Sequence, residues 1–237
     1  MRLNKFLSRT GIGSRRACDL YIEKGYIKIN GKVIKNFSYQ VLNTDAVQFK
    51  NKYVEIDYDY KYYILHKPKG YICSKNDEKN RKIIYDLLPS DQRLFSIGRL
   101  DYNTTGIVIV TNDGDLSYLL SHPKNNFIKK YIAITDNPLE KDIIKKINSG
   151  IKIDNSIMKG KFELLEYKKN IFNWDITMSE GKNREIKRIF GKFNVKVKYL
   201  HRYEFAGIKL NDLKIGKFKQ LKNNEIRKQF NYEIPKK

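Results

Sequence analysis

The segment Gly98-Arg99-Leu100-Asp101-Tyr102-Asn103-Thr104-Thr105-Gly106 places one carboxylate beside an arginine in a polar loop. The apolar run Ile107 to Val110 follows at once, so the loop leads into a buried strand, and loops held by rigid strands are where catalytic groups tend to sit. A lone aspartate can act as a covalent nucleophile. To do so it must stay ionised while partly buried, which a nearby cation favours; Arg99, Arg184 and Lys187 are the candidates. Were the substrate a nucleobase, an aromatic ring would also be needed to stack on it. Tyr131 is one of 17 tyrosines, and spacing alone does not single it out.

Other chemistries fit the residues less well. Asp101-x-Asn103-x-Thr105-Gly106 opens like a calcium loop, but its twelfth position is Asn112, where a bidentate glutamate is required. Asp101, Asp113 and Asp115 could together hold magnesium for a nuclease, yet Asn112-Asp113-Gly114-Asp115 reads more simply as a turn and helix cap. His66, His122 and His201 are scattered, and no G-x-S-x-G or P-loop occurs. The two cysteines, Cys18 and Cys73, provide neither a disulfide framework nor a cysteine-rich zinc site.

The surroundings of Asp101 are strongly basic. The 237-residue chain carries 48 Lys and Arg against 26 Asp and Glu, a net charge of +22, which attracts nucleic acid or an anionic membrane surface. An AT-rich genome raises lysine everywhere, so local clusters carry more weight than the total. Between Gly181 and Tyr203 there are eight Lys or Arg and a single Glu. A solvated helix face is the usual reason for such charge, but the lack of intermixed acid argues for an anionic partner. No apolar stretch approaches the roughly 20 residues that span a bilayer, and the first residues lack a signal-peptide pattern. A cytoplasmic RNA- or DNA-binding protein is expected. With 41% apolar residues it can bury a core.

Two modules must position these groups. In residues 1–58, Leu3, Phe6 and Leu7 recur at helical spacing and Gly11 and Gly13 break the helix. Ser14 caps a second helix that Gly25 ends. That helix carries Arg15 and Arg16 in its first turn, where the dipole disfavours cations and a bound phosphate would relieve them; two solvated side chains are the plainer alternative. Strands at 26–29 and 46–49 follow, with a turn at Asn30-Gly31. After the linker 57–60, the module 62–237 has strands at 62–66, 107–111 and 131–135, a pair at 162–167 and 172–178, and another at 195–201. Helices are expected through Leu120 with Asp115 as cap, from Pro138 to Ser149 with Asn137 as cap and Gly150 as stop, and from Asn183 to Phe193. The last has an apolar stripe of Ile186, Ile189, Phe190 and Phe193 and a basic stripe of Arg184, Lys187, Arg188 and Lys192. The whole reads as an α+β chain with a largely antiparallel sheet.

At these residues the chain resembles the bacterial ribosomal-RNA pseudouridine synthases. Residues 1–58, with Met1 to Phe6 and Gly13-Ser14-Arg15-Arg16, resemble the α-L RNA-binding motif of a small-subunit ribosomal protein. Lys67-Pro68-Lys69-Gly70 resembles the family's first motif, Gly98 to Gly106 its catalytic motif, Lys129-Lys130-Tyr131 the segment with the active-site tyrosine, and Glu180 to Phe190 its third motif. The motifs occur in the expected order along nearly the whole chain. Glu185 departs from a common glutamine, and Ile107-Val108-Ile109-Val110 from a leucine-rich run. Ser121-His122-Pro123, Asn183-Arg184 and residues 210–216 look closest to members acting on large-subunit rRNA.

The resemblance implies isomerisation of uridine to pseudouridine in ribosomal RNA, large-subunit RNA above small-subunit RNA, with no cofactor and no metal. It makes Asp101 the nucleophile and Tyr131 the active-site tyrosine. It makes Lys187, or else Arg184, the partner of Asp101, and motif alignment favours Lys187. RNA contacts are expected at Arg2, Lys5, Ser14, Arg15, Arg16, Lys28 and Lys32 of the first module, and at Lys67, Lys69, Arg99, Lys182 and Arg188 of the second. A monomer is expected. The rival readings are a non-catalytic rRNA-binding assembly factor of the same fold and, more distantly, a metal-dependent RNase.

Overall fold

The computed structural model describes residues 1–75, 77–89, 92–168 and 171–236. The chain divides into two compact units, Met1–Tyr60 joined by the chain end from Ile234, and Lys61–Glu233. The division follows Tyr60, and the last residues group with the first unit.

In the first unit, α1 (Leu3–Arg9) and α2 (Arg15–Glu23) precede a four-stranded antiparallel sheet of β1 (Ile27–Ile29), β2 (Lys32–Val33), β3 (Val47–Phe49) and β4 (Lys52–Tyr53), ordered β2-β1-β3-β4. Ser14 caps α2 as its position dictates, its Oγ accepting the Ala17 N–H at 3.1 Å. Leu3, Leu7, Cys18, Ile22, Ile27, Ile29 and Val47 are buried in one core separate from that of the second unit.

The second unit holds β5 (Tyr62–Lys67), β6 (Phe95–Ile97), β7 (Thr105–Thr111), α3 (Gly114–Ser121), β8 (Lys129–Thr135), α4 (Lys141–Ser149), β9 (Ile151–Ile153), β10 (Ser156–Met158), β11 (Lys161–Lys168), β12 (Ile171–Met178), α5 (Glu185–Lys192), β13 (Val197–Phe205), β14 (Ile208–Lys209), β15 (Phe218–Leu221) and α6 (Asn223–Phe230). Its main sheet runs β11-β12-β8-β13-β7-β5-β15, with β14 beside β13 and β6 beside β7. Among the described residues every pairing in this sheet is antiparallel except β13 with β7, which run parallel at His201 opposite Thr105 and Arg202 opposite Gly106. The mixed helices and mainly antiparallel sheet are the α+β architecture expected. Strands β5 and β7 are buried along their whole lengths, which accounts for continuous apolar runs where a half-exposed strand would alternate.

The apolar stripe of α5 packs on this sheet. Ile186, Ile189 and Phe190 are buried, and the Phe190 ring lies 5.4 Å from Trp174 and 5.6 Å from Phe162. Trp174 satisfies its buried N–H by donating to Thr135 Oγ1 at 2.9 Å.

Two helix starts are corrected. Asp113, not Asp115, caps α3: its Oδ1 accepts the N–H groups of Asp115 and Leu116 at 3.0 and 3.1 Å. The same buried carboxylate accepts the hydroxyls of Tyr62 and Tyr232. These four donors occupy the side chain that a magnesium site would have needed. Helix α4 begins at Lys141 with Glu140 at its N-cap, so Pro138 precedes it, and the Asn137 carbonyl instead accepts Thr135 Oγ1 at 2.7 Å. Among the described residues no helix is long and apolar enough to cross a membrane.

Candidate active site

Asp101 opens a tight turn closed by the Thr104 N–H, which donates to the Asp101 carbonyl at 3.0 Å. The turn is clamped from below. Lys67, at the end of β5, is fully buried, and its ammonium donates to the carbonyls of Thr104 (2.9 Å), Pro68 (3.0 Å) and Tyr102 (3.4 Å). The Gly70 N–H also donates to the Tyr102 carbonyl, at 2.9 Å. Burial pushes the Lys67 ammonium down to about 8, against the pull of Cys73 and Asp101. Lys67 therefore cannot meet RNA as its charge alone leads one to expect; it holds the Asp101 turn from inside. Cys73 grips the turn's other flank, its Sγ accepting the Leu100 N–H at 3.5 Å.

Where the turn enters β7, Gly106 lies against β13. A Cβ at Gly106, whose φ is +120°, would sit 2.2 Å from the Arg202 carbonyl oxygen, so only glycine permits this approach. Arg202 is itself buried and donates through Nε and Nη2 to the Ile107 carbonyl at 3.0 and 2.7 Å. Its guanidinium stands 4.8 Å from the Phe205 ring.

Helix α5 brings the cations. Lys187 Nζ lies 3.2 Å from Asp101 Oδ2 and 3.3 Å from Thr104 Oγ1. Arg184 Nη1 is farther, at 3.9 Å from the same oxygen. Their side chains are 16% and 56% exposed, respectively, so Lys187 makes the shorter and better shielded contact. Arg184 takes a left-handed conformation (φ 49°) at the N-cap of α5, which turns the chain from the Glu180–Asn183 segment into the helix. Arg99, the third candidate partner, is exposed on the same wall.

Asp101, Tyr131, Arg184 and Lys187 line one cavity of about 570 Å³, within the usual range for ligand sites. Tyr131 is 8% exposed, on the inward face of β8 opposite Ile176 and Arg202. Beside it Lys129 donates to the carbonyls of Phe127 and Ser179, both at 2.8 Å. Burial, with Arg202 nearby, pushes its ammonium down to about 8. Glu185 is also buried. One carboxylate oxygen accepts the Lys182 N–H at 2.8 Å and the other has no hydrogen-bond partner. Burial accordingly raises its pKa, opposed by the Lys182 contact.

The expected RNA-contact residues fall into distinct groups. Arg2, Ser14, Arg15, Arg16 and Lys32 are exposed on the first unit, and Lys5 and Lys28 are half-buried there. On the second unit Lys69 and Arg99 are exposed. Lys182 pairs with Glu180 at 2.6 Å and reaches the Ile157 carbonyl, and Arg188 pairs with Asp154. Both therefore also tie α5 and its approach to the β9–β10 hairpin. Sequence reasoning missed Thr104, Cys73 and Arg202 in this wall. The last two give no local signal, because their roles depend on strands far apart in the chain. The histidines prove less scattered than their spacing: the His66 and His201 rings lie 5.3 Å apart. His201 contacts Thr105 Oγ1 at 2.9 Å, and burial with His66 nearby pushes it down to about 4, which keeps it neutral.

The chain matches known proteins along nearly its whole length. The RNA pseudouridylate synthase family model matches residues 61–192, and the S4 domain model matches residues 1–47. The chain is 33% identical to ribosomal large subunit pseudouridine synthase B of Bacillus subtilis, over 96% of this chain and 94% of the relative. It is 32% identical to ribosomal small subunit pseudouridine synthase A of Haemophilus influenzae, over 96% and 99%. A solved pseudouridylate synthase superposes with a TM-score of 0.70 at 30% identity, covering 97% of this chain and 99% of that one. The cavity around Asp101 thus lies within a chain that belongs to the RNA pseudouridylate synthase family.

Proposed function

We propose that this protein converts uridine to pseudouridine in ribosomal RNA, at a site in the large-subunit RNA, with Asp101 as the nucleophile. The observation that carries the assignment of Asp101 is its position on the cavity wall, 3.2 Å from Lys187, on a turn fixed by the buried Lys67. The large-subunit target is supported by the Bacillus subtilis relative and by the resemblance of Ser121-His122-Pro123 and Asn183-Arg184.

The chemistry follows from the groups present. A stacked base is out of reach, so the uridine is extruded into the cavity. Asp101 attacks the ribose or the base, the bond from N1 to the ribose breaks, and the base turns. C5 then bonds to the ribose carbon as the bond to Asp101 breaks, C5 gives up its proton, and N1, freed from the ribose, takes one up. Substrate and product have the same formula and oxidation level, so the step itself calls for no redox partner or phosphoryl donor. Tyr131 stacks on the base or moves a proton, and Lys187 holds the Asp101 carboxylate in place as its counter-ion. The basic residues of each unit bind phosphates. The enzyme acts as a monomer in the cytoplasm.

The test is a carbodiimide primer-extension map of unmodified large- and small-subunit rRNA transcripts after treatment with wild-type protein or with Asp101→Asn. A new stop on the large-subunit transcript, absent with the variant, is expected. A stop that survives Asp101→Asn removes the aspartate from its role. A stop on the small-subunit transcript instead moves the target.

A further inference from the structure

Tyr102 follows Asp101 in the turn and is 43% exposed. A single exposed aromatic ordinarily calls for no explanation. Three features set this one apart. Its backbone is fixed, because the Tyr102 carbonyl receives both the Gly70 N–H and Lys67 Nζ. Its hydroxyl end rests over Gly70, 3.9 Å from where a Cβ there would lie. A cation also faces it: the Arg81 guanidinium stands 5.9 Å from the ring centroid, near the limit for a cation–π contact.

Arg81 is held in turn. Its Nε donates to both Asp77 carboxylate oxygens at 3.1 Å, and its backbone N–H to the same side chain at 2.7 Å. Its own side chain is nevertheless 42% exposed. Tyr102 and Arg81 both line the cavity that contains Asp101. Two flat groups, each with open surface and each fixed by other contacts, therefore stand together at the place where a nucleotide must leave its stack. Extrusion of one nucleotide leaves its neighbours without a stacking partner on one face. An aromatic ring and a guanidinium plane are the groups that replace such a partner without reading sequence.

We propose that Tyr102, with Arg81 beside it, is a stacking platform for the RNA base adjacent to the extruded uridine. This rests on the reading that the Asp101 cavity receives that uridine. The platform compensates for the stacking that extrusion disrupts, so it acts on capture of the substrate rather than on the bond-making steps.

Steady-state kinetics of the full-length protein on the unmodified rRNA transcript that it modifies tests this, with Tyr102→Ala, Tyr102→Phe and Arg81→Ala. Tyr102→Ala is expected to raise KM about tenfold, within the span for one base on one ring, with the effect falling on KM and not on kcat. Tyr102→Phe keeps the ring and restores KM. The salt dependence of KM should be unchanged in Tyr102→Ala, since a tyrosine neutralises no phosphate. Arg81→Ala should raise KM less than Tyr102→Ala. Unchanged KM in Tyr102→Ala overturns the proposal. So does a Tyr102→Phe variant as impaired as Tyr102→Ala, which would point to the hydroxyl. A loss of salt dependence in Arg81→Ala would make Arg81 a phosphate contact and overturn its part. Failure of the Asp101 reading appears separately, as turnover that persists in Asp101→Asn while the KM comparison still stands.

Discussion

Asp101 is held by contacts of two kinds, and they predict different failures. Its backbone is fixed by Lys67 and by the turn, while its carboxylate is met by Lys187 at 3.2 Å and, more loosely, by Arg184 at 3.9 Å. Removing the shielded partner should matter most. Lys187→Met is expected to lower the single-turnover rate by a factor of about 100 or more, on the order of what loss of one preorganised electrostatic group costs. Lys192→Met, whose Nζ reaches the Lys152 carbonyl, should have little effect, and equal losses would reassign the counter-ion. Glu185 supplies a residue-scale prediction about stability. Its carboxyl pKa is raised by burial, so between the unfolded value and the folded one the native state binds more protons than the unfolded chain. Stability from this group is therefore intact below the unfolded carboxylate range and falls as pH rises through the folded value. Glu185→Gln removes that penalty, and relief of a buried group lacking one partner is on the order of 1 kcal/mol. Urea unfolding should show the variant more stable than wild type at a pH above the raised Glu185 value and no more stable at a pH below the ordinary carboxylate range. A gain of equal size at both pH values would exclude ionisation as the cause.

At the scale of elements, the contact between β7 and β13 decides where the site lies. It is the parallel pairing in a sheet otherwise antiparallel among the described residues, and it places the Asp101 turn beside Arg202. Gly106→Ala would set a Cβ 2.2 Å from the Arg202 carbonyl oxygen at a φ of +120°, so the strands must separate. The expected cost is about 3–4 kcal/mol, in the tail of single-substitution effects, measured as a drop in the urea midpoint together with loss of turnover. Retention of wild-type stability would mean the strands part without consequence. Long elements are legible in the sequence because their periods are: the stripe Ile186, Ile189, Phe190 faces the core as its spacing requires. The motif order likewise brings Asp101, Tyr131 and Lys187 to one cavity. Strands of two to four residues, such as β6, β14 and β15, carry no period to read and are defined by their partners. Lys67 departs from its expected place for a related reason. Charge suggests a surface position, and only the neighbouring Pro68 carbonyl together with two carbonyls from the distant Asp101 turn makes a buried lysine tolerable.

For the molecule as a whole, the net charge of +22 acts through counterions released when phosphates are neutralised. That turns a general attraction into a measurable number of neutralised phosphates. Arg15 and Arg16 are exposed in the first turn of α2, whose positive dipole end repels them and attracts a phosphate. If both arginines bind phosphate, the double substitution Arg15→Ala, Arg16→Ala in the full chain should weaken binding to the rRNA transcript at low salt. It should also make the slope of log affinity against log salt shallower by about 0.7–0.9 for each phosphate left unneutralised. The same slope for Lys187→Met should stay near the wild-type value, because Lys187 faces Asp101 rather than the RNA backbone. Filter binding over a series of salt concentrations separates the two cases. An unchanged slope in the arginine variant would leave those side chains as solvated charge and place the RNA grip of the first unit elsewhere on its surface. A shallower slope in Lys187→Met would put that ammonium on a phosphate and break its assignment as the counter-ion of Asp101.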